Sequence, residues 1–224
     1  MFVIHGIFKD APTERLVSNL TEFSVAKPSG FIHAKAYTGE VFNFEKTYGE
    51  FKKNISHLNS FPKKGVILPP SLKLGEFYLN FCDFLIIRFP YFAPLTPCMP
   101  ITLFEKKLLE LSPIKHRVLI ELSGDCTDFD MYSASFDIFS YNQAVLKCAI
   151  KSSKVFFDRN SYYSYYTYLS EKGTPHLVFM EDTQSISKKH NLIKKAGYLG
   201  ICWKNVAVMA DGNWESLKGV YENR

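Results

Sequence analysis

The sequence predicts an α/β fold in a single domain spanning residues 1–224, built on a parallel sheet with crossover helices. Three observations predict it. Short apolar runs alternate with stretches of helical period. Helix-start signals stand between those runs, and no linker, repeat or low-complexity segment breaks the succession apart from a tyrosine-rich patch at 162–168. Apolar residues make up 46% of the 224, enough to bury a sizeable core.

The elements follow in order. Residues 3–8 form the first apolar run. A helix comes next, with Pro12 in its first turn and Leu16, Leu20 and Phe23 on one face. Residues 31–37 and 41–44 read as strands. Thr47 and Glu50 have capping-box spacing, in which the hydroxyl accepts the amide three residues on and the carboxylate reaches back. Phe51, Ile55 and Leu58 then mark a helical face. Residues 65–68 are a strand stopped by Pro69-Pro70, and 84–87 a stronger one. Thr102 and Glu105 make a second box, opening a helix that carries Leu108 and Leu111. Residues 118–122 are the next strand. Ser140 and Gln143 make a third box, ahead of Ala144, Val145 and Cys148. Residues 155–157, 163–168 and 177–180 read as extended. Ile186, Ile193 and Ala196 line the last helix, which Gly197 terminates. Residues 199–203 are short and apolar, as a strand covered on both faces should be.

Composition narrows the function classes. The net charge of +5 is modest, and the lysine pairs are spread along the chain as solvated helix faces, so no nucleic-acid stripe is expected. The five cysteines are odd in number and lack metal-ligand spacing. Cys82, Cys148 and Cys202 sit in apolar stretches and read as small core residues. Nothing argues for a disulfide framework, which favours a reducing compartment. The start has no basic region ahead of its apolar run, unlike a signal peptide, and no stretch is long enough to cross a bilayer. There is no G-x-S-x-G elbow, no glycine-rich phosphate loop and no histidine pair at metal spacing, so neither a metal nor a cofactor is expected. The aromatic content of 16% suits a core and also suits a carbohydrate site.

One succession goes further. Residues 162–168 are tyrosine-rich, Val178-Phe179-Met180-Glu181-Asp182 ends an apolar strand, and Ser185 and Lys189 follow four residues apart. Then come Gly197, Trp203 and Asn213-Trp214. Upstream, Gly39 and Glu45 stand at the first glycine and the final glutamate of a D-G-x-D-x-D-x-E pattern. Asp83 through Tyr91 parallels D-x-x-x-x-M-T-Y-[DE], and Thr96 through Pro100 parallels G-P-P-M-A. In order and spacing these pieces resemble glycoside hydrolase family 18, most nearly its spore-cortex and peptidoglycan-lytic N-acetylglucosaminidase branch. The resemblance covers residues 38 to 216.

It implies a shortened or incomplete (β/α)8 TIM-type barrel, with a small inserted β-rich subdomain at about 124–180. It implies a β-1,4 glycan containing N-acetylglucosamine as the ligand: peptidoglycan, spore cortex or chitin. In this family the substrate's own acetamido oxygen attacks the anomeric carbon while a glutamic acid protonates the leaving oxygen. The resemblance assigns that acid to Glu45. It makes Asn43 the acetamido holder, Trp203 the sugar platform, and Tyr91 a further substrate contact. The pattern's three aspartates are replaced by Thr38, Val41 and Asn43, and its tyrosine falls at Pro90, so hydrolysis should be weak. Losing one electrostatic stabiliser costs about 10²–10³ in rate. Arg88 ends a buried strand and must be paired or face a cavity; it contacts glycan or neutralises Glu121, and both remain open. The alternatives are a catalytically inactive glycan binder and a structural coat or assembly protein that reuses the barrel, with self-association through an incomplete barrel edge. A cytoplasmic or spore-associated location fits either.

Overall fold

A computed structural model describes residues 2–5, 33–34, 65–89, 95–97 and 99–204, with the backbone alone at 2–5, 33–34, 65–66 and 203–204. Two sheets organise it. The first comprises β1 (Phe2–His5), β2 (His33–Ala34), β3 (Gly65–Leu68), β4 (Phe84–Ile87), β5 (Val118–Ser123) and β11 (Gly200–Lys204). Every pairing in it is parallel, in the order β1-β11-β5-β4-β3-β2. The first strand therefore lies beside the last, and the others follow chain order, which is how a barrel closes on itself. With helices packed outside and a second sheet inserted between β5 and β11, the fold is a shortened (β/α) barrel.

The apolar runs make these strands because both of their faces are covered. Alternate residues separate cleanly. Leu85, Ile87, Val118, Ile120, Leu122 and Ile201 join the main core with the helices. Ile67, Phe84, Ile86, Leu119 and Cys202 pack together on the opposite, luminal side. The thiols of Cys82, Cys148 and Cys202 are buried as expected.

Helix α1 (Leu72–Tyr78) was not legible in the sequence. The Ser71 hydroxyl accepts the Leu74 amide at 3.4 Å, and Arg117 donates to the carbonyls of Leu79, Asp83 and Cys82 at its far end. Gly75 lets the helix approach closely: a Cβ there would meet Ile114 Cδ1 at 2.6 Å, so that side-chain end would have to shift. Helix α2 (Ile101–Glu110) corrects the expected box at Thr102 and Glu105. It starts two residues earlier, behind Pro100 without a side-chain cap. The Ile101 amide donates instead to the Ser161 carbonyl at 2.9 Å, a tertiary contact that replaces the local one.

A 3₁₀ turn (Ser112–Arg117) leads into β5. After β5 the chain builds the second sheet from β6 (Asp125–Asp130), β7 (Phe136–Ser140), β8 (Phe156–Asp158), β9 (Tyr163–Leu169) and β10 (Pro175–Met180). This sheet is antiparallel, ordered β7-β6-β10-β9-β8. Helix α3 (Tyr141–Ile150) opens with the predicted capping box of Ser140 and Gln143. It covers one face of the sheet, burying Ala144 and Cys148 against Cys126, Tyr166, Val178 and Met180. Val145 is on the exposed side of the helix. Helix α4 (Thr183–Ala196) is capped by the Asp182 carboxylate and ends at Gly197, whose φ of +77° is left-handed.

Candidate functional site

The carboxyl ends of the parallel strands are where barrels of this kind gather functional groups. Ile87 of β4 pairs with Ile120 of β5, so Arg88 stands level with Glu121. Glu121 is in turn paired with Cys202 of β11. By strand alternation Arg88 and Glu121 share the luminal side with Ile86, Leu119 and Cys202. Arg88 donates through Nε to Glu121 Oε1 at 2.6 Å and through Nη2 to Oε2 at 2.8 Å, a bidentate pair. The Arg88 side chain is 33% exposed and that of Glu121 only 5%. Burial works against the guanidinium charge, but the Glu121 hydrogen bonds and charge outweigh it and hold the Arg88 pKa above its ordinary value. Burial pushes the Cys202 thiol up, so it is no nucleophile.

A second polar group sits where the two sheets meet. Glu181 and Asp182 follow β10 and begin α4. Glu181 accepts from Lys189 Nζ at 2.5 Å, from the Ser185 hydroxyl at 2.5 Å and from the Tyr163 hydroxyl. Lys189 also donates to the Tyr163 oxygen at 2.8 Å. Asp182 accepts from the Ser164 hydroxyl at 2.5 Å while capping α4. The Glu-Asp, Ser and Lys of the sequence pattern thus lock β9, β10 and α4 together in a dry setting.

A third cluster lies on the helix-covered face of the second sheet. Asp128 is buried and accepts from Lys147 at 2.6 Å and Tyr168 at 2.7 Å; its other oxygen is 2.8 Å from His176 Nδ1. Burial alone would raise the Asp128 pKa, but these three partners lower it below the ordinary carboxylate value. Lys147 also lies 5.4 Å from the Phe139 ring centre. No motif announces this cluster beyond the acidic residues of the short run at 125–130.

Of the site residues expected from sequence, Arg88 has a described environment, the ion pair with Glu121. Trp203 occupies the β11 position paired with Leu122 and His5, and its side chain lies outside the described residues. Glu45, Asn43 and Tyr91 also lie outside them, as do Thr38, Val41 and Pro90. Among the described residues no group of three or more His, Cys, Asp or Glu side chains could hold a metal, and no helix is long and apolar enough to cross a membrane.

No protein-family model and no curated protein matches the chain. Solved structures do. The spore cortex-lytic enzyme SleL of Bacillus cereus superposes with a TM-score of 0.67 at 19% identity, over 96% of this chain and 58% of that one. A chitinase from Chromobacterium violaceum ATCC 12472 gives 0.67 at 15%, over 99% and 80%. A class V chitinase from Nicotiana tobaccum in complex with NAG4 gives 0.62 at 11%, over 95% and 74%. The fold is therefore the chitinase-type barrel of these proteins. The chain spans little more than half the length of the SleL structures, at 58%.

Proposed function

We propose that this chain binds a β-1,4 glycan containing N-acetylglucosamine in the mouth of its barrel, and hydrolyses it weakly by the substrate-assisted route. The observation that carries this reading is a superposition on SleL and on chitinases over nearly the whole chain, 96–99%, in agreement with the order of sequence motifs. Glu45 is the general acid, Asn43 holds the acetamido group, and Trp203 stacks on the sugar ring. Tyr91 and the exposed part of Arg88 line the same hollow. An amide at position 43 can hydrogen-bond the acetamido group but supplies no negative charge to the cationic ring of the transition state. Weak turnover follows from that loss.

A second reading, a glycan binder without turnover, is favoured by the substitutions at 38, 41, 43 and 90. Reducing-end release from chitin oligosaccharides and cortex fragments separates the two. The first reading expects slow release that Glu45→Gln abolishes, with binding retained by both proteins. Equal release by the two proteins refutes Glu45 as the acid. Saturable binding without release, weakened by Trp203→Ala, selects the second reading, and no binding to any such glycan ends both.

A further inference from the structure

Helix α3 is apolar on both of its sides, and its outer side faces solvent. Ala144 and Cys148 point into the second sheet. The exposed residues opposite them are Asn142, Gln143, Val145, Leu146, Ala149 and Ile150, and none carries a charge. Val145 with Ala149, and Leu146 with Ile150, stand one turn apart and form a ridge along the crest. Leu146 is 61% exposed and Ile150 69%. Helices α2 and α4 are built differently. The exposed residues of α2 include Glu105, Lys106 and Glu110, and those of α4 are Gln184, Asn191, Lys194 and Lys195. A helix that is apolar all round normally has both sides covered, so the outer side of α3 calls for an occupant.

The charge pattern says which occupant suits it. From Ile138 to Phe157 the chain has three lysines and no acid. Lys147 is held by Asp128. Lys151 and Lys154 follow the ridge at its carboxyl end, with their ammonium groups 5.8 Å and 5.5 Å from the ring centres of Tyr168 and Phe156. Val155, next to Lys154, is exposed as well. A second copy laid on this side would bring the same lysines, with no acid in this stretch to meet them. A helix crest is convex and offers no pocket to a small ligand. An anionic bilayer surface meets both features. The apolar side chains enter the boundary between headgroups and acyl chains, and the lysine stems lie beside them with their ammonium groups among the phosphates.

We infer that the outer side of α3, with the turn at 151–155, docks this protein on a membrane surface rich in anionic lipid. The helix lies in that surface and does not span it, its ten residues being about half of what a span needs. The proposal does not rest on the glycan reading.

The test is co-sedimentation of the full chain with vesicles of phosphatidylcholine alone and of phosphatidylcholine mixed with phosphatidylglycerol. The wild type should bind the mixed vesicles in preference, and added salt should weaken that binding. Leu146→Ser combined with Ile150→Ser should lower the affinity about tenfold or more. Lys151→Gln and Lys154→Gln should each lower it about fivefold. Leu109→Ser is the control: Leu109 is 75% exposed but stands among the charged residues of α2, and its loss should leave binding as in the wild type. Circular dichroism should be unchanged throughout, since none of these side chains is buried. A wild type that binds neither kind of vesicle overturns the proposal, and so does equal binding to both. Binding that survives the loss of Leu146 and Ile150 overturns it too, since it would be diffuse charge attraction. Self-association that these two changes abolish, without any vesicle binding, would overturn it and give the face to a second copy.

Discussion

Lys189 is a residue whose removal should be costly to stability. Its side chain is 1% exposed and lies 2.5 Å from Glu181, itself 6% exposed, so the pair is dry on both sides. Lys189→Met keeps most of the volume and the aliphatic stem but leaves a buried carboxylate without its counter-charge. Removing one partner of a buried pair costs about 3–5 kcal/mol. The Ser185 and Tyr163 hydroxyls still donate to Glu181, which favours the low end, about 3 kcal/mol. For a chain of this size each kcal/mol moves the melting temperature by about 2–4 °C, so a drop of about 6–12 °C is expected. Thermal and urea unfolding, followed by circular dichroism, measure it. Adding Glu181→Gln to Lys189→Met should restore part of the loss, because no uncompensated charge then remains buried. A Lys189→Met protein within about 1 kcal/mol of the wild type would refute the reasoning. A double variant whose loss equals the sum of the two single losses would refute it too.

Two further outcomes follow from particular groups. His190 is buried and its Nε2 has no hydrogen-bond partner among the described residues. Burial, and then the Lys194 charge, lower its pKa from 6.5. Above about pH 6.5 both folded and unfolded chains carry it neutral; below that value the unfolded chain takes a proton that the folded one excludes. Its contribution to stability is therefore complete above about 6.5 and is lost as pH falls towards the lower folded value. The slope should be at most about 1.4 kcal/mol per pH unit, and urea unfolding of His190→Leu should be flatter over pH 5–7. Parallel curves for the two proteins would contradict this. Gly197→Ala should cost about 1 kcal/mol in the same assay, because φ is +77° there although a Cβ would make only ordinary van der Waals contact with the Lys115 side chain. Full stability in that variant would mean the helix end relaxes.

Local features carried much of the fold into view before any coordinates. The strands expected at 65–68, 84–87 and 118–122 declare themselves through largely apolar residues, since burial on both faces demands them. Ser140 with Gln143, and Gly197, announce helix ends because capping acts within about four residues of chain. Strand β6 was missed for the opposite reason. Its sequence DCTDFD is acidic, and only the Lys147, Tyr168 and His176 partners let Asp128 be buried there. Helix α1 was missed because Arg117, more than thirty residues on, supplies its C-terminal partners. Thr102 misled because the Ser161 carbonyl, not a side chain, receives the first amide of α2.

By itself, then, the sequence determined the kind of elements, their order and a chitinase-like succession of motifs, all of which depend on short-range pattern. The tertiary structure decided what Arg88 pairs with: the register of β4 on β5 sets it level with Glu121 on the luminal side and joins the two in a bidentate pair. It also decided that Glu181 and Lys189 are a buried lock. Such facts rest on pairings between segments tens of residues apart, and a charged residue buries only when one of those distant partners meets it.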